Sequence, residues 1–298
     1  YINTPGCGGR SVHRYGTHVS KTISQSRKKL ANFFSAPSVN EIVFTRNATH
    51  SLNQIAKGLE WNKGDVVLTT DREHNSNLVP WLQLEQEQGI DHRVVRSNQD
   101  NTFNLESFEE ACAEAGTKLK MVSMSHVGNL DGVETPVKEI TKIAKDYGAL
   151  VSIDGAQSAP HMSVDVQDLG IDFYSFSIHK MLGPSGMGGL WARTELLENM
   201  RTIQSGGQTV TTATYESLKW AKPPSKFEGG LGHFAGMMAT GAAVDYLTKL
   251  NMDEVHDHEQ SLNRIMSEGV KNIPGVSIIG PEDPSKRSGI CSLLLDDK

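Results

Sequence analysis

Three cysteines in 298 residues, Cys7, Cys112 and Cys291, are too few and too far apart for a disulfide framework, and no CxxC pair suggests a cysteine-rich zinc site. Each reads as a small buried or incidental residue, and a reducing compartment fits. Aromatic residues make up only 6%, and no apolar run is long enough to span a bilayer. The net charge of -6 gives no electrostatic reason to expect nucleic acid or an anionic membrane as partner. The chain opens at Tyr1 without a methionine or a charged-then-apolar leader. A cytoplasmic protein is therefore expected, its true N-terminus missing. HExxH and GxSxG are absent as well. The run GPSGMGG (Gly183 to Gly189) has the glycines of a phosphate loop, but no Lys-Ser/Thr follows and a strand comes next, so the Walker and Rossmann readings fail. The run HDHE (His256 to Glu259) falls mid-helix, where i and i+2 point apart, and reads as a solvated face rather than a metal site.

What is present is ordinary globular composition, 37% hydrophobic and 21% charged, with length enough for one large domain and part of another. Strand-like and helix-like runs alternate. EIVFT, DVVLTT, HRVVR, KLKMVSMS, ALVSID, DFYSFS and GGLWA read as strands, and helices are read from Ala48 and in NLVPWLQLEQEQG, LESFEEACAEAG and VKEITKIAKDYG. Such alternation implies crossover connections and a mostly parallel sheet with helices on both faces, and the continuous apolar strands suit burial on both sides. After about Gly232 two long helices, GMMATGAAVDYLTKL and MDEVHDHEQSLNRIMSEGVKNI, precede the short strands VSIIG and ICSLLLDD. Residues 1–232 are thus expected to form a large domain, with 1–20 as a segment near the active site. Residues 233–298 are expected to begin a small α+β domain that is truncated, since so few strands cannot bury a core alone.

In such a sheet, ligands bind beyond the carboxyl ends of the strands. Five successive strand ends carry Arg46 to Thr49, Asp71 to Asn75, His126 to Asn129, Asp154 to Gln157 and Ile178 to Lys180. Asp154, after four residues of a buried strand, is costly unless it meets a cation. The protonated ring nitrogen of pyridoxal 5'-phosphate (PLP) supplies one. Lys180 offers an amine to the aldehyde of the same group. Backbone N–H groups at Ala48 and Thr49, at a helix start, suit its phosphate, and Ser177 and His179 add donors. His74 can stack on the ring, and Asn129 and Gln157 can bond its phenolic oxygen. Singly, each has a plainer reading: a helix cap for Asp154 or Thr49, a surface residue for Lys180, a turn for Asn129. Together, five strand ends would have to be unrelated.

The segments SVHRYGTHVS, RNATHSLN, EHNSNLVPW, SHVGNLDGVETPV, DGAQSAPHMSVDVQDLGIDFYSFSIHKMLGPSGMGGLW and FEGG resemble the class V aminotransferase fold family, in its cysteine desulfurase and selenocysteine lyase branch. The likeness runs from about Val12 to the end of the chain. It implies a PLP-dependent enzyme of fold type I, with a seven-stranded type of sheet, working as a homodimer with active sites at the subunit interface. Carried over, it implies that Lys180 binds the cofactor aldehyde, that His74 stacks on the ring and moves protons, and that Asp154 pairs with the ring nitrogen. Gln157 and Asn129 would lie near the phenolic oxygen and the substrate, while Thr49, Ser177 and His179 hold the phosphate. His13 and Arg14 match a segment lining the substrate pocket.

Three departures stand out. The family's reactive cysteine and its carboxylate-gripping arginine lie beyond the last residue here, and none of the three cysteines occupies that context. The family's N-terminal segment and following helix are shortened to YINTPGCGG. Leu231 stands where the family places a threonine that reaches the neighbouring subunit's phosphate. The expected activity is removal of sulfur from L-cysteine, giving alanine and an enzyme persulfide for a sulfur-acceptor protein, as in iron-sulfur cluster assembly. The catalytic cysteine is expected outside this chain, which as given should hold PLP only in part. A transaminase, epimerase or selenocysteine lyase of the same family, or an inactive scaffold, is the alternative.

Overall fold

The computed structural model describes residues 1–9 and 11–296. A 20-residue helix, α1 (Arg14–Phe33), is followed by β1 (Ile42–Thr45), α2 (Ala48–Gly58), β2 (Val66–Thr70), α3 (Asn75–Gln88) and β3 (Asp91–Val95). Then come α4 (Leu105–Ala115), β4 (Leu119–Ser125), α5 (Val137–Asp146), β5 (Leu150–Asp154), β6 (Phe173–Ser177) and β7 (Gly188–Ala192). The remaining elements are α6 (Thr194–Asn199), β8 (Val210–Ala213), β9 (Leu218–Trp220), α7 (Phe234–Leu250), α8 (Met252–Val270), β10 (Val276–Ile279) and β11 (Ser292–Leu295). Every strand and helix read from the sequence is present; the reading ICSLLLDD extends to Asp297, which lies outside the described residues. Helix α1 was not read from the sequence: it is strongly polar, and its buried positions include Gly16 and Ser26 beside Val19 and Leu30, so few of them are large and apolar.

The chain divides into two units. The first comprises Tyr1–Glu60, Val164–Gln167 and Asp172–Lys249. Its strands β1 and β6 both pair antiparallel with β7. The ten residues 178–187 between β6 and β7 are too few for a helical crossover, and this makes the turn antiparallel. Phe34 packs its ring at 4.7 Å from Phe176 and 5.3 Å from Tyr174. Gly189 is opposite Phe176 across the ladder, and a Cβ there would enter that ring; one at Gly188 would enter the backbone of Asn47. The glycines after the lysine thus let β7 lie against the start of α2.

A mostly buried ion pair ties this unit together, its side chains 12% and 15% exposed. Arg27 of α1 donates to Glu228 through both terminal nitrogens, at 2.7 and 2.9 Å, and Nη1 also reaches the Ile42 carbonyl at 2.5 Å. Glu228 Oε1 accepts in addition from the Phe44 amide at 2.7 Å, and the guanidinium lies 4.5 Å over the Phe44 ring. The glutamate of FEGG therefore serves structure: it joins α1, β1 and the segment before α7. Helix α7 approaches α1 closely, and a Cβ at Gly241 would fall 2.5 Å from Ser26 Oγ.

The second unit comprises Trp61–Ser163, Asp168–Ile171 and the chain from Leu250. Its strands run in the order β5-β4-β2-β3, all parallel. Strand β2 is buried at all five positions and β5 at four of five, as cover on both faces requires. The HDHE run lies on α8, but only Asp257 and His258 are exposed. Glu259 Oε1 lies 2.7 Å from His161 Nδ1, and His256 Nε2 lies 3.8 Å from Glu134. These two positions are one helical turn apart, so they share a face directed at the unit's own core. The solvated-face reading is corrected for that half of the run.

Because breaking a mostly buried pair leaves the arginine and the Phe44 amide short of an acceptor, Glu228→Ala should destabilise the protein by about 1–3 kcal/mol. Urea denaturation followed by circular dichroism checks this; a loss under about 1 kcal/mol would show that the pair is exposed in solution.

Candidate active site

Each element delivers its candidate side chain at a strand end or a helix start. In the first unit, Ser177 closes β6 and its Oγ accepts the Ala48 amide at 2.9 Å, so one expected phosphate donor binds another. The Ser177 hydroxyl proton remains free to donate outward. Asn47 caps α2 by accepting the His50 amide at 2.9 Å, and Thr49 is exposed on the first turn. A tight turn follows β6, in which the Lys180 amide donates to the Ser177 carbonyl at 3.1 Å. It leaves His179 exposed and Lys180 half-buried. Among the described residues the Lys180 amine has no hydrogen bond or ion pair. His13 caps α1 through Nδ1, 3.3 Å from the Gly16 amide, and Arg14 bonds the Tyr15 hydroxyl at 2.9 Å and stacks on its ring. Both are exposed and engaged with their own helix.

In the second unit, Asp154 ends β5 at 5% exposure; its Oδ1 accepts the Ala156 amide at 3.0 Å and its carbonyl accepts the His126 amide at 3.0 Å. Gln157 and Asn129 are half-buried on the loops after β5 and β4. His74 caps α3: its Nδ1 accepts the Ser76 amide at 3.1 Å, so the neutral ring carries its proton on the exposed Nε2. Behind it stands a network that sequence reasoning passed over. The Glu73 carboxylate accepts from Thr70 Oγ1 at 2.6 Å, Asn77 Nδ2 at 2.7 Å, Ser125 Oγ at 2.7 Å and the Ser125 amide at 3.1 Å. Burial pushes that carboxyl above its ordinary range while these donors pull it back. Asn77 passes the network on to Ser123 Oγ at 2.6 Å and Trp81 Nε1 at 3.4 Å. The spacing Glu73, Asn77, Trp81 in EHNSNLVPW was the available signal: one inward helix stripe behind an outward histidine.

His126 was also passed over, although it stands at a strand end. It is buried, its Nδ1 has no partner, and burial pulls it down to about 4. It is neutral wherever the protein is folded near neutrality. Burial pushes the Cys112 thiol up to about 12, which makes it inert as a nucleophile. Cys7 and Cys291 are half-buried and free.

In α/β proteins with parallel strands, ligands bind beyond the carboxyl ends of the strands, where this chain carries a half-buried lysine and a buried aspartate. The comparisons make the reading specific. The family model for aminotransferase class V matches residues 1–298. A "Probable cysteine desulfurase" of Halalkalibacterium halodurans is 37% identical over 97% of this chain and 70% of its own length. Another from Streptomyces coelicolor is 38% identical over 97% of this chain and 70% of its own length. The apo structure of a cysteine desulfurase from Thermococcus onnurineus superposes with a TM-score of 0.95 at 32% identity, covering 100% of this chain and 74% of that one. The chain belongs to the aminotransferase class V family, and its fold is that of the PLP-dependent fold type I enzymes.

His126 generates a pH prediction. Its folded pKa lies below the ordinary 6.5, so its contribution to stability is full above 6.5 and lost as pH falls toward about 4. Between pH 7 and pH 5 this one group should cost about 2 kcal/mol. Urea midpoints for wild type and His126→Phe at both pH values check it: the two proteins should lose stability by amounts differing by that much, and equal losses would refute the assignment.

Proposed function

We propose that this chain is the PLP-binding part of a cysteine desulfurase that takes sulfur from L-cysteine and leaves alanine. The observation that carries the reading is Lys180: a half-buried amine without a partner among the described residues, on the turn that follows Ser177. Relatives sharing 37 and 38% of its residues bear the desulfurase name.

The residues suit PLP. Asp154 is a carboxylate held rigidly at the end of β5, where it accepts the Ala156 amide, and it is of the right charge to pair with the ring nitrogen of PLP once that is protonated. The hydroxyl of Ser177 and the start of α2, with Thr49 exposed on its first turn, suit a phosphate. Bound PLP supplies an electron sink for breaking bonds at the α-carbon of an amino acid. Lys180 would hold the aldehyde through Nζ and, once released, would take the proton from the substrate α-carbon. His74 would lie against the ring with Nε2–H available to a departing group. Asn129 and Gln157 would donate to the phenolic oxygen, His179 would add a donor for the phosphate, and His13 and Arg14 would help enclose the substrate. The sulfur-accepting thiol is assigned to none of the chain's three cysteines. The reading includes a cytoplasmic homodimer that hands sulfur to an acceptor protein, as in iron-sulfur cluster assembly. Leu231, an exposed hydrocarbon, leaves the phosphate one donor poorer than the family pattern.

Reconstitution with PLP tests the assignment. Wild type should develop a visible absorbance band that borohydride bleaches and fixes to Lys180, as peptide mass mapping would show. Lys180→Ala should lack the band and lose solvent exchange of the substrate α-proton by about a thousandfold or more. With L-cysteine the loaded chain should exchange that proton but release no alanine, since none of its own thiols is assigned to take the sulfur. A keto acid would identify a transaminase, a D-amino acid an epimerase, strong preference for selenocysteine a lyase, and no band at all a scaffold.

A further inference from the structure

We propose that Arg72 and Asp131 form a positioning pair that sets the spacing between His74 and Asn129, an inference that rests on the PLP reading above. Arg72 lies two residues before His74 on the loop after β2, and Asp131 lies two residues after Asn129 on the loop after β4. The Arg72 Nη2 group donates to Asp131 Oδ2. The Asp131 side chain is fully buried and that of Arg72 is 22% exposed. A carboxylate with no access to water is retained at a cost unless its partner is held in place.

Both loops are built around the pair. Asp131 Oδ1 accepts the Val133 amide at 3.1 Å, and a Cβ at Gly128 would collide with that same oxygen. The loop closes on itself through the Gly128 amide to the Val133 carbonyl at 2.9 Å and the Gly132 amide to the Gly128 carbonyl at 2.9 Å. Its far side is bonded to a neighbouring segment, where the Ser288 amide donates to the Gly132 carbonyl at 2.7 Å and Val133 bridges Arg287. The other partner is equally fixed, because the residue after Arg72 is Glu73, which clips the ends of β2 and β4 and the first turn of α3. Each charge therefore sits on a rigid loop two residues from a side chain assigned to the cofactor. A shift of the pair moves His74 relative to Asn129.

The pair is polar where an apolar contact would have been cheaper, and Arg72 Nε is buried without a partner. Packing alone does not account for that choice.

Arg72→Gln, Asp131→Asn, the double variant and Arg72→Lys test the proposal, with free PLP as the probe. Measured are the PLP dissociation constant, the pH midpoint of the bound cofactor's visible band, and the melting temperature without PLP. Each single neutral variant should weaken PLP binding by about tenfold and shift the midpoint by about half a unit or more. The double variant should be no worse than the poorer single one, and Arg72→Lys, which keeps the charge, should recover most of the loss. Unchanged PLP affinity and midpoint, with only the melting temperature lowered, would overturn the proposal and leave the pair purely structural. Should Asp131→Asn fail to fold, the variants at the partly exposed Arg72 decide the matter by the same readings. Absence of the band in wild type would sink the PLP reading and this inference with it, whereas a normal band with unaltered variants sinks this inference alone.

Discussion

Covering β2 and most of β5 from both faces leaves those strands no flank on which to display a polar side chain, so their chemistry collects where the backbone leaves the sheet. Asp154 is the last residue of β5, Ser177 the last of β6, and Glu73 and His74 lie on the short loop between β2 and α3. A carboxylate or an amine held at such a point has few conformations and little water around it. It is dear to place there, and once placed it is already oriented.

Holding these ends steady takes further buried polar groups behind them. Glu73 gathers four donors from three elements, and Asn77 extends the same network to Ser123 and Trp81. Arg27 and Glu228 do for the first unit what the Glu73 network does for the second, joining a helix, a strand and a loop through one bidentate contact. In the second unit the residue that meets the ligand in the functional reading, His74, is exposed, and Glu73 beside it is held by the network.

Much of the fold was readable because local pattern and global arrangement agree. Apolar runs gave the strands, and a residue list drawn up at strand ends contained Lys180, Asp154, Asn129, Gln157 and His74. Three things escaped that reading. Helix α1 hides behind a stripe of small residues. The hairpin of β8 and β9 has short strands that are exposed at every position but Val210, so no burial pattern marks them. Glu73, Arg72 and His126 were in the strand-end list, but nothing in their order separates a side chain turned inward from one turned outward.

The sequence by itself determined the element order, the α/β class and the residue types at the strand ends, because strand and helix periods, turn glycines and caps act over a few neighbouring residues. Only the tertiary structure decided which of those polar groups meet each other. Arg72 reaches Asp131 across 59 positions and Arg27 reaches Glu228 across 201. Pairings at that range depend on how strands and loops pack, and burial is what pushes the Glu73 carboxyl up and the His126 imidazole down.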